Sequence, residues 1–146
     1  MKLILNTFIL LFAFHFSFAQ EKSIVGQWKT IDDETGSAKS IVEITEENGQ
    51  IVGKILKLFK KPEEDQNPKC DKCSGDKKDK PVIGMTILWD LKKKGDSNWA
   101  DGQILDPKNG KTYSCKAELL EEGKKLKVRG FIGISLLGRS QVWEKQ

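Results

Sequence analysis

Over residues 113–130 apolar and polar side chains alternate, interrupted once by an acidic reversal, and few chain conformations tolerate that pattern. Tyr113, Cys115, Ala117 and Leu119 fall on one side of an extended chain, and Ser114, Lys116 and Glu118 fall on the other. A period of two is what a strand with one dry and one wet face requires. Leu126, Val128 and Gly130 repeat the signal against Lys125, Lys127 and Arg129, and Glu121-Glu122-Gly123 between them reads as a hairpin connection. Cys115 is therefore expected to point inward. Upstream, Glu46-Glu47-Asn48-Gly49 and Asp106-Pro107-Lys108-Asn109-Gly110 each end on Asn-Gly, the preferred pair for tight turns that need positive φ.

The same reading places strands at residues 24–31, 41–45, 51–59, 85–91, 99–105, 111–120, 124–131 and 140–144. No segment sustains a helical period. About eight strands joined in order predict an all-β fold, a single small antiparallel up-and-down barrel whose closure removes exposed sheet edges. The last stretch, residues 128–143, is apolar, punctuated by glycine, and holds both arginines, Arg129 and Arg139. It is read as the closing strands. Residues 60–80, rich in Lys, Asp and Pro, form a long surface loop that carries Cys70-Asp71-Lys72-Cys73, and loops of this length are commonly functional or disordered.

The N-terminus has one positive charge at Lys2, an apolar run, and small residues at Ser17 and Ala19, the pattern of a secretory signal peptide over residues 1–19. The expected mature chain, residues 20–146, is one domain, exported to the periplasm or secreted, without stable membrane insertion. No cysteine lies close enough behind the apolar run to accept a lipid.

The formal net charge is +4, with 21 acidic residues dispersed among the lysines, so no single-sign face of the kind that reads nucleic acid is expected. The one histidine, His15, lies inside the leader. A mature chain without imidazole excludes Ser-His-Asp and Cys-His catalysis and lacks the commonest general base. No catalytic residues, cofactor or metal site are assigned.

Cys70 and Cys73 have a spacing compatible with a local disulfide, half a zinc site or a thiol redox motif. Zinc needs four ligands, and three cysteines without histidine do not supply them. A redox pair usually opens a helix, and none follows here. A structural disulfide is the expectation, stabilising by roughly 2 kcal/mol or less because the ring is short. Cys115 is then a buried free thiol. Trp99, Asp101 and Asp106 invite a sugar-binding reading, but Asp106 before Pro107 is more simply a turn residue and Asp101-Gly102 a turn or bulge. Asp32-Asp33-Glu34-Thr35-Gly36 lacks the spacing of a calcium loop and reads as a solvated turn.

Gly26-Gln27-Trp28 on the first strand resembles the lipocalin and calycin pattern, in which Gly-x-Trp plugs one barrel end and an arginine from the last strand stacks across the ring. Arg139 is the matching residue, with Arg129 second. The succession Gly26-Gln27-Trp28-Lys29-Thr30, Gly53-Lys54-Ile55, Cys70-Asp71-Lys72-Cys73, Gly102-Gln103-Ile104-Leu105-Asp106-Pro107, Gly110-Lys111-Thr112-Tyr113, Val128-Arg129-Gly130-Phe131-Ile132-Gly133 and Leu137-Gly138-Arg139 closely resembles the bacterial family called domain of unknown function 2147 (DUF2147). That resemblance implies a small exported, lipocalin-like β protein and carries no catalytic residues to this chain. The expected function is non-enzymatic. A small apolar or amphipathic ligand would be bound at the barrel mouth, with the Cys70–Cys73 loop as its lid. The alternatives are an envelope protein-interaction or stress accessory with a packed barrel, and a thiol-disulfide enzyme acting through Cys70 and Cys73.

Overall fold

In the computed structural model, which describes residues 21–146, every alternating segment is a strand. The strands are β1 (Gly26–Ile31), β2 (Ala38–Glu47), β3 (Gln50–Leu58), β4 (Thr86–Lys93), β5 (Asn98–Asp106), β6 (Lys111–Leu120), β7 (Lys125–Phe131) and β8 (Arg139–Lys145). Each pairs antiparallel with the next, and β8 returns to β1, closing the barrel. The leader read over residues 1–19, with His15, lies outside the described residues.

Register follows from which side chains must be dry. Val42 and Ile44 of β2 are fully buried while their neighbours are not, and the one-residue alternation carries through Ile51 and Ile55 on β3 and Cys115, Ala117 and Leu119 on β6. Two irregularities re-aim the wall. Asp101 has a φ of 59°, and the β5–β6 register shifts between Trp99 and Gly102. Of the turn or bulge expected at Asp101-Gly102 this is the bulge, and it keeps both Trp99 and Gly102 facing the core. Trp99 is thus buried at 4% exposure and offers no stacking platform to a sugar.

Up-and-down connectivity sorts the loops by end. The β2–β3, β4–β5 and β6–β7 turns share one end with residues 21–25 and the C-terminus. The β1–β2, β3–β4, β5–β6 and β7–β8 connections share the opposite, open end.

The β3–β4 connection is folded and does not hang across the mouth as a lid. Cys70 N–H donates to Lys80 O at 2.9 Å, Asp79 N–H to Cys70 O at 2.9 Å and Val82 N–H to Pro68 O at 2.9 Å, which make a compact knot. The knot lies against the outside of the wall. Lys77 Nζ stands 5.1 Å over the Trp89 ring of β4, and the sulfur of Cys70 is 3.4 Å from Pro107 O of the β5–β6 turn. Alternation points Ile87 and Leu105 outward, yet they are 6% and 5% exposed, as expected of residues roofed by this loop.

Candidate functional site

The end that carries residues 21–25 and the C-terminus is sealed from its own strands. Trp28, fully buried, donates Nε1–H to Ile24 O at 2.8 Å, so the indole is satisfied inside the barrel floor. Lys145 stands over the ring with Nζ 4.6 Å from its centroid and donates to Val25 O at 2.7 Å. Burial pushes its ammonium pKa down, and the ring face and the carbonyl offset that cost. Gly26 leaves the space: a β-carbon there would collide with the Lys145 ammonium.

This corrects the expected partner of Trp28. Trp28 pairs with Lys145 in the β1–β8 ladder, whereas Arg139 begins β8, about 20 Å away along the strand at the usual rise. Arg139 instead grips Asp33 at the open end, with Nε–Oδ2 2.5 Å and Nη2–Oδ1 2.7 Å, and reaches Glu34 at 3.0 Å. The guanidinium holds the Asp33 carboxyl below its ordinary range. Arg129, second in line, does not meet Trp28 either. Its Nε donates to Ser135 O at 2.6 Å, Nη2 to Leu136 O at 3.2 Å and Nη1 to Ser140 Oγ at 2.9 Å.

From the floor to mid-barrel the core is tightly packed. A ligand chamber would leave its walls reachable by water, but Ile24, Trp28, Val42, Ile44, Leu88 and Leu126 are all 0% exposed. Where the wall nears the mouth it turns polar: Thr30 and Ser40, both buried, share a hydrogen bond at 2.7 Å, and Tyr113 OH accepts from Asn109 Nδ2 at 2.9 Å. Two depressions lie away from the mouth. One, about 450 Å³, runs over the β5–β6 bulge between Gln103, Lys116, Phe131 and Ser135. The other, about 420 Å³, separates residues 21–23 from Glu46, Lys93 and Trp99 at the sealed end.

Cys70 and Cys73 form the disulfide, with a Cα–Cα distance of 5.3 Å, in the loop where the spacing put it. Cys70 is 0% and Cys73 4% exposed, so neither sulfur is presented to an attacking thiolate. One 3₁₀ turn, Gly75–Lys77, follows in place of a helix. Cys115 is the free thiol, and burial pushes its pKa up to about 12. Ellman's reagent is therefore expected to find no reactive thiol in the native chain at neutral pH, and one per chain in denaturant without reductant. Reaction of the native protein within minutes would contradict this burial.

The acidic turn at the open end is built as expected of a solvated reversal. Asp32 Oδ1 accepts from Thr35 N–H at 2.9 Å and from Thr35 Oγ1 at 2.8 Å, and Oδ2 lies 3.3 Å from Lys39. The Thr35 amide, then its hydroxyl, lower the Asp32 pKa to about 2. Because the folded value lies below the unfolded one, about 3.9, the stability it contributes is present above about pH 4 and lost as pH falls through about 2. Asp32→Asn is expected to flatten the melting temperature between pH 4 and 2 relative to the unaltered chain. Parallel curves would show that Asp32 contributes nothing there.

Sequence reasoning missed Lys145, the Arg129 contacts and the exposure of the apolar loop that they hold. Ile132, Ile134, Leu136 and Leu137 are 66%, 61%, 81% and 77% exposed. The glycines at 133 and 138, which interrupt the apolar run, were the available sign that the chain turns out of the wall there.

A closed eight-stranded antiparallel barrel with a Gly-x-Trp plug defines a lipocalin-like protein. The chain belongs to the DUF2147 family, described as an uncharacterized protein conserved in bacteria, whose model matches residues 26–145. Among solved structures it is similar to protein HP1028 from the human pathogen Helicobacter pylori, which is reported to belong to the lipocalin family. The TM-score is 0.72 at 19% identity, over 85% of this chain and 83% of that one. At that identity the likeness is one of fold. No curated protein matches the chain.

Proposed function

We propose that this is a non-enzymatic, exported envelope protein that acts through the outside of its open end, as an interaction module on a filled barrel. The observation that carries the reading is the placement of apolar surface. Most inward-facing side chains are buried, while four large aliphatic residues of the loop 132–137 stand in solvent. Export rests on the leader pattern of residues 1–19. Cell fractionation with a photo-crosslinker at position 137 tests it. Recovery in the envelope fraction, cross-linked to an envelope component, is expected. A freely diffusing chain with no adduct overturns it.

A second reading, a small amphipathic ligand seated in the mouth, is favoured by the polar rim of Thr30, Ser40 and Tyr113 beneath the Arg139–Asp33 pair. Native mass spectrometry separates the two. A stoichiometric small molecule lost on Arg139→Met would support the ligand, and a bare chain favours the interaction module.

A further inference from the structure

Ordinary surface loops turn polar side chains and free carbonyls to water. The loop 132–137 departs from that at its apex. Its four aliphatic side chains point out, and three of its carbonyls have partners in the protein: Ile134 O accepts from Leu137 N–H at 3.2 Å, and Ser135 O accepts from Gly138 N–H at 3.3 Å and Arg129 Nε at 2.6 Å. Leu136 O accepts from Arg129 Nη2 at 3.2 Å. Three successive carbonyls at the apex thus have partners without water.

Hydrocarbon takes apolar side chains that point outward, while the amides of residues 132–136, which have no partner among the described residues, are left to the headgroup layer. Leu136 and Leu137, at 81% and 77% exposure, are open to solvent and need no matching groove, which suits a deformable phase.

Charge around the loop agrees. Lys116 Nζ donates to Ser135 Oγ at 3.2 Å, and Lys116 and Arg129 face each other in the β6–β7 ladder. Among the described residues neither makes an ion pair with a carboxylate. In the neighbouring β1–β2 turn of the same end the carboxylates are engaged, Asp32 by Lys39 and Asp33 and Glu34 by Arg139. An aliphatic tip above a cationic collar suits an interface where acyl chains lie behind anionic headgroups.

We propose that the loop 132–137 inserts its aliphatic side chains into the surface of an anionic lipid bilayer, with Lys116 and Arg129 at headgroup level. This rests on the reading that the open end works from its outer surface, and it names the partner. The protein would lie against the membrane and not span it.

The test is flotation of the full chain with vesicles of phosphatidylethanolamine and phosphatidylglycerol, compared with phosphatidylcholine alone. Leu136→Ser/Leu137→Ser is run beside it, so that residues 1–19, present or cleaved, are common to both proteins. Binding to the anionic vesicles is expected, weakened about ten-fold or more by the double substitution and about five-fold or more by Lys116→Glu. The substituted side chains are mostly exposed, so near-UV circular dichroism should be unchanged. If the serine pair does not fold, Leu136→Ala/Leu137→Ala gives the same comparison. Equal binding by altered and unaltered chains, equal binding to both lipid mixtures, or no binding overturns the proposal. So does a dimer that the double substitution dissolves while vesicles are ignored, since a second copy then covers the loop. A protein adduct at position 137 without vesicle binding removes the lipid and leaves the interaction module standing.

Discussion

Trp28→Ala is expected to destabilise the barrel by about 3–5 kcal/mol, a melting temperature lower by roughly 10–20 °C. The indole is fully buried and closes the floor, so its loss leaves a cavity in a wall already fixed by hydrogen bonds on both sides. It also strands Ile24 O, which loses the Nε1 donor, and Lys145, which loses the ring face. Against a typical total of about 5–15 kcal/mol this is a large fraction. Two milder changes separate the contributions. Trp28→Phe keeps a ring under the ammonium and should cost about 1–2 kcal/mol for the missing hydrogen bond. Lys145→Met should cost about 1 kcal/mol, since one edge of that site is wet. Arg139→Met should leave the near-UV signal of Trp28 unchanged, because the guanidinium is on Asp33. An Arg139→Met chain with the defect of Trp28→Ala would restore the pairing the sequence pattern suggested.

What the sequence made legible was local, and what it hid was set by distant register. Alternation is a property of neighbouring residues, so all eight strands were readable, with ends off by up to three residues, and so was an irregularity, turn or bulge, at Asp101-Gly102. The disulfide was readable for the same reason, its cysteines being three apart. The cation over Trp28 was not, because choosing Lys145 over Arg139 requires knowing where β8 meets β1 across the whole length of the chain. The dryness of Ile87 and Leu105 was equally hidden. They point away from the core, and only the folded β3–β4 connection covers them. Between the strands expected at 124–131 and 140–144, the sequence leaves open where residues 132–137 face. Their composition suits a buried strand, yet Gly133, at a φ of 73°, turns the run out of the wall and Arg129 pins it there. Composition reports how apolar a segment is, and only geometry reports where it faces. In this molecule that difference moves attention from the interior to the rim.

Gly110→Ala should be nearly as damaging as the loss of Trp28 although it adds a single methyl group. Gly110 has a φ of 73°, and a β-carbon there would run into the carbonyl of Lys72 and the amide nitrogen of Cys73. The obstacle is backbone held in a disulfide ring, so it does not yield as a side-chain tip would. Relief requires lifting the β3–β4 connection from the β5–β6 turn, which opens Cys70, Cys73, Val82 and Leu105 to water. The expected cost is about 3 kcal/mol, of which about 1 kcal/mol is the left-handed backbone. Gly49→Ala supplies the control, having a φ of 76° with nothing within 4 Å of the added carbon. It should show the conformational part alone. A second readout follows from accessibility. In the unaltered chain both sulfurs are buried, so dithiothreitol should reduce the disulfide slowly, and Gly110→Ala should speed that reduction about ten-fold or more while Gly49→Ala leaves it unchanged. Identical melting and reduction for the two alanine variants would mean that the loop is not seated on Gly110, and the roof over Ile87 and Leu105 would need another anchor.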